Sequence, residues 1–214
     1  AVLATVLRAG PGLSAAYIGW PDGDFVLMRP VGRNASRLDT PDGAVWLAQW
    51  TDAVGTRFDF LDPTLDIVES RLREDFAFDP RERPWFSEAI SSDQTIETAP
   101  YVFFTTREPG ISAARSTASG AVAGVDVSLW DLSSRLPEDM PTASSEAAIV
   151  DANGGVLAYT DVRRLWGMMG NGTPVTDTTA LPSADGLGSP VVAALATGRE
   201  TADGSFSGQV TADG

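Results

Sequence analysis

Phe78-Asp79-Pro80-Arg81-Glu82-Arg83-Pro84-Trp85-Phe86 is the stretch that says most about this 214-residue chain, and strands carrying Tyr101 and Asp126 follow it. A guanidinium is a planar fork that can pair a carboxylate bidentately, and a carboxylate is the natural partner of an ammonium group. A site that brings Arg83 and Asp126 together therefore suits a zwitterion. Strand alternation puts Tyr101, Phe103 and Thr105 on one side of their strand, so an aromatic wall can line the same cavity. Structural alternatives stand beside these roles. Arg83 could pair with Asp79 or Asp126, and Trp85 could be plain core. Asp126 sits between Val125 and Val127, where a lone carboxylate is costly unless paired or wet.

Upstream, the period-two pattern of Ala16-Tyr17-Ile18-Gly19-Trp20, the Pro21-Asp22-Gly23 turn and Phe25-Val26-Leu27-Met28 predict a β-hairpin. Asp42 is placed to cap a helix running through Trp50, with Val45, Trp46, Gln49 and Trp50 on one face. A second helix is expected over 64–72, where Leu65, Val68 and Leu72 align. Downstream, residues 98–106, 110–116 and 121–128 read as three successive antiparallel strands, divided by Glu108-Pro109-Gly110 and Ser119-Gly120. Leu129, Leu132 and Leu136 mark a helix that Pro137 limits, and the polar connector after it places a domain boundary at 140/141. A second sheet then opens with a hairpin around Ala152-Asn153-Gly154-Gly155. A helical run is expected over 189–197. The Thr-Ala-Asp-Gly repeat at Thr201 and Thr211, around Phe206, reads as two turns flanking a short strand. An open edge is expected at Gly214, with further strands beyond it. Residues 1–7 are apolar but lack a basic leader and a cleavage site, and read as the remnant of a longer helix.

Taken with Pro100-Tyr101-Val102-Phe103 and Gly124-Val125-Asp126-Val127-Ser128, the segment from Asp79 to Phe86 resembles the double Cache sensor family. Ala148-Ile149-Val150-Asp151-Ala152-Asn153-Gly154 looks like the opening of that family's second module. The resemblance implies an α+β protein of two stacked PAS-like modules, each an antiparallel sheet with flanking helices, along a truncated N-terminal helix. Residues 1–140 would form the membrane-distal, ligand-binding module and 141–214 the membrane-proximal one. The family includes an amino-acid-binding subgroup, whose carboxylate and amine contacts match Arg83, Trp85, Tyr101 and Asp126 here. Phe78 and Phe86 stand where that subgroup has tyrosines, which removes two hydroxyl contacts. The ligand-binding residues so implied are Arg83, Trp85, Phe86, Tyr101, Phe103 and Asp126, for an amino acid or organic acid. The resemblance further implies an extracytoplasmic, periplasmic sensor, homodimeric in its full-length receptor, with membrane contact only through helices outside this chain. Its output would be a nucleotide cyclase, or else a histidine kinase or chemoreceptor. No cofactor is implied.

Composition narrows the alternatives. Residues are 43% hydrophobic and 21% charged, enough for one good-sized core or two small ones. No apolar run approaches the ~18–20 residues of a membrane span. Fifteen basic residues, all arginine, against 29 acidic ones give a net charge of −14, which would repel nucleic acid and anionic lipid. With no cysteine and no histidine, thiol nucleophiles, serine-histidine triads and zinc or copper sites built on those residues are excluded. Asp151-Ala152-Asn153-Gly154 starts like a calcium loop but lacks its later acidic ligands, so a turn is expected and no metal. Two other classes remain open. One is a soluble hydrolase using Asp126 with Asp79 or Glu82 as a carboxylate dyad. The other is a solute-binding protein.

Overall fold

The computed structural model describes residues 2–140, 142, 145–151, 153–169, 181–189 and 192–193. The chain is α+β and divides into two compact units, Ala1–Ser128 and Leu129–Gly214. The helix that follows Ser128 is thus grouped with the second unit, ahead of the boundary expected at 140/141.

The first unit is a single antiparallel sheet with a helix on each face. Its elements are α1 (Val2–Ala9), β1 (Ala15–Gly19), β2 (Phe25–Pro30), β3 (Trp46–Asp52), β4 (Gly55–Leu61), β5 (Ile67–Arg73), α2 (Pro84–Ile90), β6 (Ile96–Glu97), β7 (Tyr101–Val102), β8 (Pro109–Ser116) and β9 (Val122–Ser128). The strands lie in the order β5-β4-β3-β2-β1-β9-β8-β6, with β7 also on β8. Because β9 returns to pair with β1, Ala15 is set opposite Asp126, and Asp126 is in turn opposite Ser112 of β8. Successive residues of a strand point to opposite faces. Ala16 and Met28 accordingly pack under Ala4 and Leu7 of α1. On the other face Tyr17, Phe25 and Leu27 pack with Trp85, Phe86 and Ala89 of α2.

The hairpin expected from Ala16 to Met28 forms as β1 and β2. The two helices expected after it do not. Residues 46–52 form β3, with Leu47 and Gln49 fully buried on one face and Ala48 nearly so on the other. A strand covered on both sides loses its polar alternation, so its apolar positions can mimic a helical period. Residues 67–73 form β5, an edge strand, and the helix expected over 64–72 is stopped by the turn before it. There the Asp62 carboxylate accepts bonds from the backbone N–H of Thr64 and of Asp66, and Leu65 takes a positive φ of 74°. Residues 98–106 are likewise not one strand. Only Tyr101–Val102 pairs with β8, and the chain turns where Phe103 N–H bonds Glu108 O and Arg107 has a φ of 54°.

The second unit contains α3 (Leu129–Arg135), β10 (Ala148–Val150), β11 (Val156–Tyr159) and α4 (Val162–Met168). The hairpin between its two strands turns on Asp151, whose carboxylate accepts the N–H of Asn153 and of Gly155, both at 2.8 Å. Val156, Tyr159, Leu165, Ala184, Leu187 and Val192 form its core. The repeat around Thr201, Phe206 and Thr211 and the edge expected at Gly214 lie outside the described residues, as does most of the helical run expected over 189–197.

Candidate functional site

A cavity opens between the α2 face of the large sheet and the segments that cross it. It holds about 350 Å3, counting its solvent-open side. The floor is made by Tyr17 of β1, by Phe25, Leu27 and Arg29 at alternate positions of β2, and by Asp126 of β9. Phe78, Arg83 and Trp85 close one side, from the stretch that leads into α2. Tyr101, Phe103, Phe104 and Thr105 close the other, from the hairpin between β7 and β8.

The aromatic walls are continuous. Tyr17 and Trp85 have ring centroids 4.6 Å apart, as do Phe25 and Phe78, and Phe78 meets Phe104 edge-on at 5.4 Å. Tyr17 reaches this position because Gly124 lies opposite it on β9: a Cβ there would fall 2.4 Å from the tyrosine ring. With glycine in place, the ring lies across the neighbouring strand and its hydroxyl arrives at Asp126.

Asp126 is buried, and its charge is managed by hydroxyls. Tyr17 Oη donates to its Oδ1 at 2.8 Å and Ser112 Oγ donates to the same oxygen at 2.6 Å. Ser112 Oγ is also 2.7 Å from Tyr101 Oη, so the two tyrosines and the serine form one network around the carboxylate. Burial outweighs these bonds and the nearby positive charges of Arg29 and Arg83, and pushes the carboxyl up to about 6. Burial, followed by the proximity of Asp126, also raises both tyrosine hydroxyls, which stay protonated donors. The requirement read from the sequence, that this carboxylate be paired or wet, is met by Tyr17 and Ser112.

Arg83 is held where α2 begins, 8% exposed, with Nη2 donating to Val102 O at 3.1 Å. Its guanidinium lies over the rings of Tyr101, at 5.6 Å, and Phe104, at 5.8 Å. Asp79 bonds Arg81 instead, through Arg81 Nη2 at 2.7 Å, so the Arg81 side chain holds the loop while Arg83 faces the cavity. Of the six residues expected at the site, Arg83, Trp85, Tyr101, Phe103 and Asp126 line the cavity. Phe86 is buried beside it, edge-on to Trp85 at 5.5 Å, and is not among the lining residues. Phe78, noted in the sequence only as a missing hydroxyl, is a wall.

Arg29, Tyr17 and Ser112 were not legible as site residues. Arg29 carried a signal of the same kind as Asp126, a charge within an apolar strand, flanked by Met28 and Pro30. Asp79 and Glu82, the partners that a carboxylate dyad would need, do not line the cavity, where Asp126 is the one acidic side chain among the described residues. The arrangement offers cation, carboxylate and hydroxyl contacts inside an aromatic box, which is a means of holding a small polar molecule.

No family model matches the chain. In an alignment 199 positions long that covers 87% of the chain, it is 31% identical to Adenylate cyclase 1 of Rhizobium meliloti strain 1021, of which it spans 29%. Among solved structures it is similar to the ligand-binding domain of the Pseudomonas fluorescens chemoreceptor CtaA, in complex with L-valine. That likeness has 25% identity and a TM-score of 0.41 and covers 73% of this chain and 53% of that one. A second is the ligand-binding domain of the Campylobacter jejuni chemoreceptor Tlp3, at 16% identity and a TM-score of 0.42, covering 74% of this chain and 48% of that one. The chain thus spans about half of these domains and under a third of the cyclase. Over most of its own length it is similar to a region of a bacterial adenylate cyclase.

Proposed function

We propose that this chain is the extracytoplasmic ligand-sensing part of a receptor, and that the cavity binds a small metabolite carrying a carboxylate, an amino acid or an organic acid. The observation that carries this reading is the meeting of Arg83, Trp85, Tyr101 and Asp126, from three separate segments, around one aromatic-walled space. In this reading Arg83 takes the carboxylate, Tyr101 supplies a hydroxyl, Asp126 takes the amine, and Trp85, Phe103 and Phe78 form the walls. Phe86 acts from behind, by fixing Trp85.

Residues 1–140 are the ligand-binding, membrane-distal module, and residues 141–214 belong to the membrane-proximal one. The likeness to part of an adenylate cyclase supports a cyclase as the output of the whole protein. The receptor works as a homodimer, attached to the membrane through helices outside this chain, with the sensor on the periplasmic side. The ligand signals by binding one conformational state more tightly than another, since only differential affinity shifts such an equilibrium. The isolated domain performs no catalysis of its own.

A thermal-shift screen of amino acids, organic acids, amines and purines tests this. A ligand at about 100 times its Kd stabilises the protein by about 2.7 kcal/mol. Arg83→Ala should abolish the response to carboxylates, whereas Arg135→Ala, an exposed position on α3, should leave it intact. Stabilisation by simple amines and never by carboxylates would remove Arg83 from its assigned role.

A further inference from the structure

Resting on the ligand-binding reading above, we propose that Glu108 and Arg33, neither of which lines the cavity, are positioning residues for it: their ion pair latches the hairpin that forms one wall to the ends of strands that form the floor. The loop between β7 and β8 runs from Phe103 to Glu108, and Phe103, Phe104 and Thr105 face the cavity from it. Little within the hairpin holds it in place. Its ladder is two residue pairs, Tyr101 with Gly110 and Val102 with Pro109, and Pro109 has no N–H to give. Arg107 takes a φ of 54°, a left-handed conformation that is unfavourable for a residue with a Cβ. The wall therefore leans on contacts outside the hairpin.

Those contacts converge on Glu108, which is buried at the base of the loop. Arg33 Nη1 donates to its Oε1, and Asn34 Nδ2 donates to its Oε2 at 3.2 Å. Both partners belong to the 3-10 turn Gly32–Asn34, which follows β2, the strand that carries Phe25, Leu27 and Arg29 into the floor. The other arm of the Arg33 guanidinium, Nη2, donates to Ser128 Oγ at 2.8 Å. Ser128 ends β9, the strand of Asp126, and its N–H bonds Ser14 Oγ at 2.8 Å, while Ser14 N–H bonds Asp126 O at 2.7 Å. One guanidinium thus bridges wall and floor. The tip of the hairpin has a neutral tie, Thr105 Oγ1 donating to Gln49 Oε1 at 3.1 Å, and a bond between two charged groups is the stronger kind. A buried carboxylate is costly without its cation, so breaking the pair from either side releases the base of the wall. Displacement of a wall by about 1 Å is enough to loosen a binding site, so affinity depends on a pair that does not meet the ligand.

The test is amide hydrogen exchange on the unliganded 214-residue chain, comparing wild type with Glu108→Gln, Arg33→Met and the double variant, with Asn34→Ala as a milder cut should those fail to fold. The amides of Phe103 and Arg107, bonded to Glu108 O and Phe103 O, should exchange faster by about tenfold or more, the lower range for a lost charge-assisted hydrogen bond. Amides of β3 and β4 should keep their wild-type rates. The double variant should exchange no faster than the faster single one, because both substitutions break the same tie. Calorimetric titration with the standard L-amino acids, acetate and succinate supplies the functional arm: every compound that wild type binds should bind Glu108→Gln more weakly by a similar factor. Unchanged exchange at Phe103 and Arg107 in a folded variant, additive effects in the double variant, or unaltered affinity would each overturn the proposal. So would a rise in exchange spread evenly from β1 to β9, which would make the pair a general stabiliser of the sheet. If wild type binds none of these compounds, the ligand-binding reading falls, and the exchange rates alone decide whether Glu108 and Arg33 hold the wall.

Discussion

Replacing Asp126 by asparagine should make the unliganded protein more stable at alkaline pH than at acidic pH, relative to wild type. The folded structure pushes the Asp126 carboxyl from an ordinary 3.8 up to about 6, with burial as the largest cause. A carboxyl whose folded pKa is raised favours folding while it is protonated. That contribution is fully present below about pH 4 and is lost as pH rises through about 6. The shift is about two units, and at about 1.4 kcal/mol per unit wild type forfeits on the order of 3 kcal/mol across this window. Asparagine has no such titration, and its Oδ1 can still accept from Tyr17 Oη and Ser112 Oγ. The stability difference between Asp126→Asn and wild type should therefore move in the variant's favour by about 3 kcal/mol between about pH 4 and pH 8, most of it between the two pKa values. For a chain of this size that is a shift of roughly 6–12 °C in relative Tm. Chemical denaturation of both proteins at matched pH values measures it directly. A difference that stays flat with pH, or that moves in wild type's favour as pH rises, would mean that the arginines and hydroxyls outweigh burial. The carboxylate would then be a stabilised ion in the empty cavity. The same linkage sets a ligand effect: a ligand bearing an ammonium prefers ionised Asp126, so its affinity should rise as pH climbs through about 6.

Three further substitutions test the geometry around that carboxylate and the second unit. Tyr17→Phe removes one of the two hydroxyl donors to Asp126, and should lower stability by about 1.5–3 kcal/mol where the carboxylate is ionised and by less where it is protonated, read by denaturation on either side of pH 6. Gly124→Ala would put a methyl 2.4 Å from the Tyr17 ring, so a loss of about 1–3 kcal/mol in the denaturation midpoint is expected, and an unchanged midpoint would show that the ring moves freely. Asp161→Ala removes the side chain that caps α4 by accepting the N–H of Arg164, and should destabilise that helix by about 1 kcal/mol, seen as faster amide exchange confined to the second unit.

The parts of the fold legible in the sequence were those fixed by short-range chemistry. The Pro21-Asp22-Gly23 turn and the alternating residues around it gave β1 and β2, and the Asn153-Gly154 turn gave β10 and β11. Two strands were misread as helices because their surroundings, and not their own pattern, decide them. In β3 both faces are covered, so Leu47, Ala48 and Gln49 are all buried and no alternation survives. In β5 the decisive feature is a single carboxylate, Asp62, which gathers backbone N–H groups just before the strand and prevents a helical turn.

The site shows the same division in another form. Arg83, Trp85, Tyr101, Phe103 and Asp126 could be found because each sits in a short segment that is itself distinctive. Tyr17 and Ser112 could not, since what brings them to Asp126 is pairing between distant parts of the chain. The pairing of β1 with β9 joins residues more than a hundred positions apart, and only that pairing puts Tyr17 over Gly124 with its hydroxyl on Asp126. Ser112 reaches the same oxygen through the register of β8 on β9, and Arg29 faces the space because it shares the parity of Phe25 and Leu27. A shift of one residue in either register would turn the tyrosine or the serine to the opposite face of the sheet. The chemistry of the site is therefore a property of register: Asp126 supplies the charge, but strand pairing decides how many hydroxyls and cations stand around it, and so which ligand charges the cavity can answer.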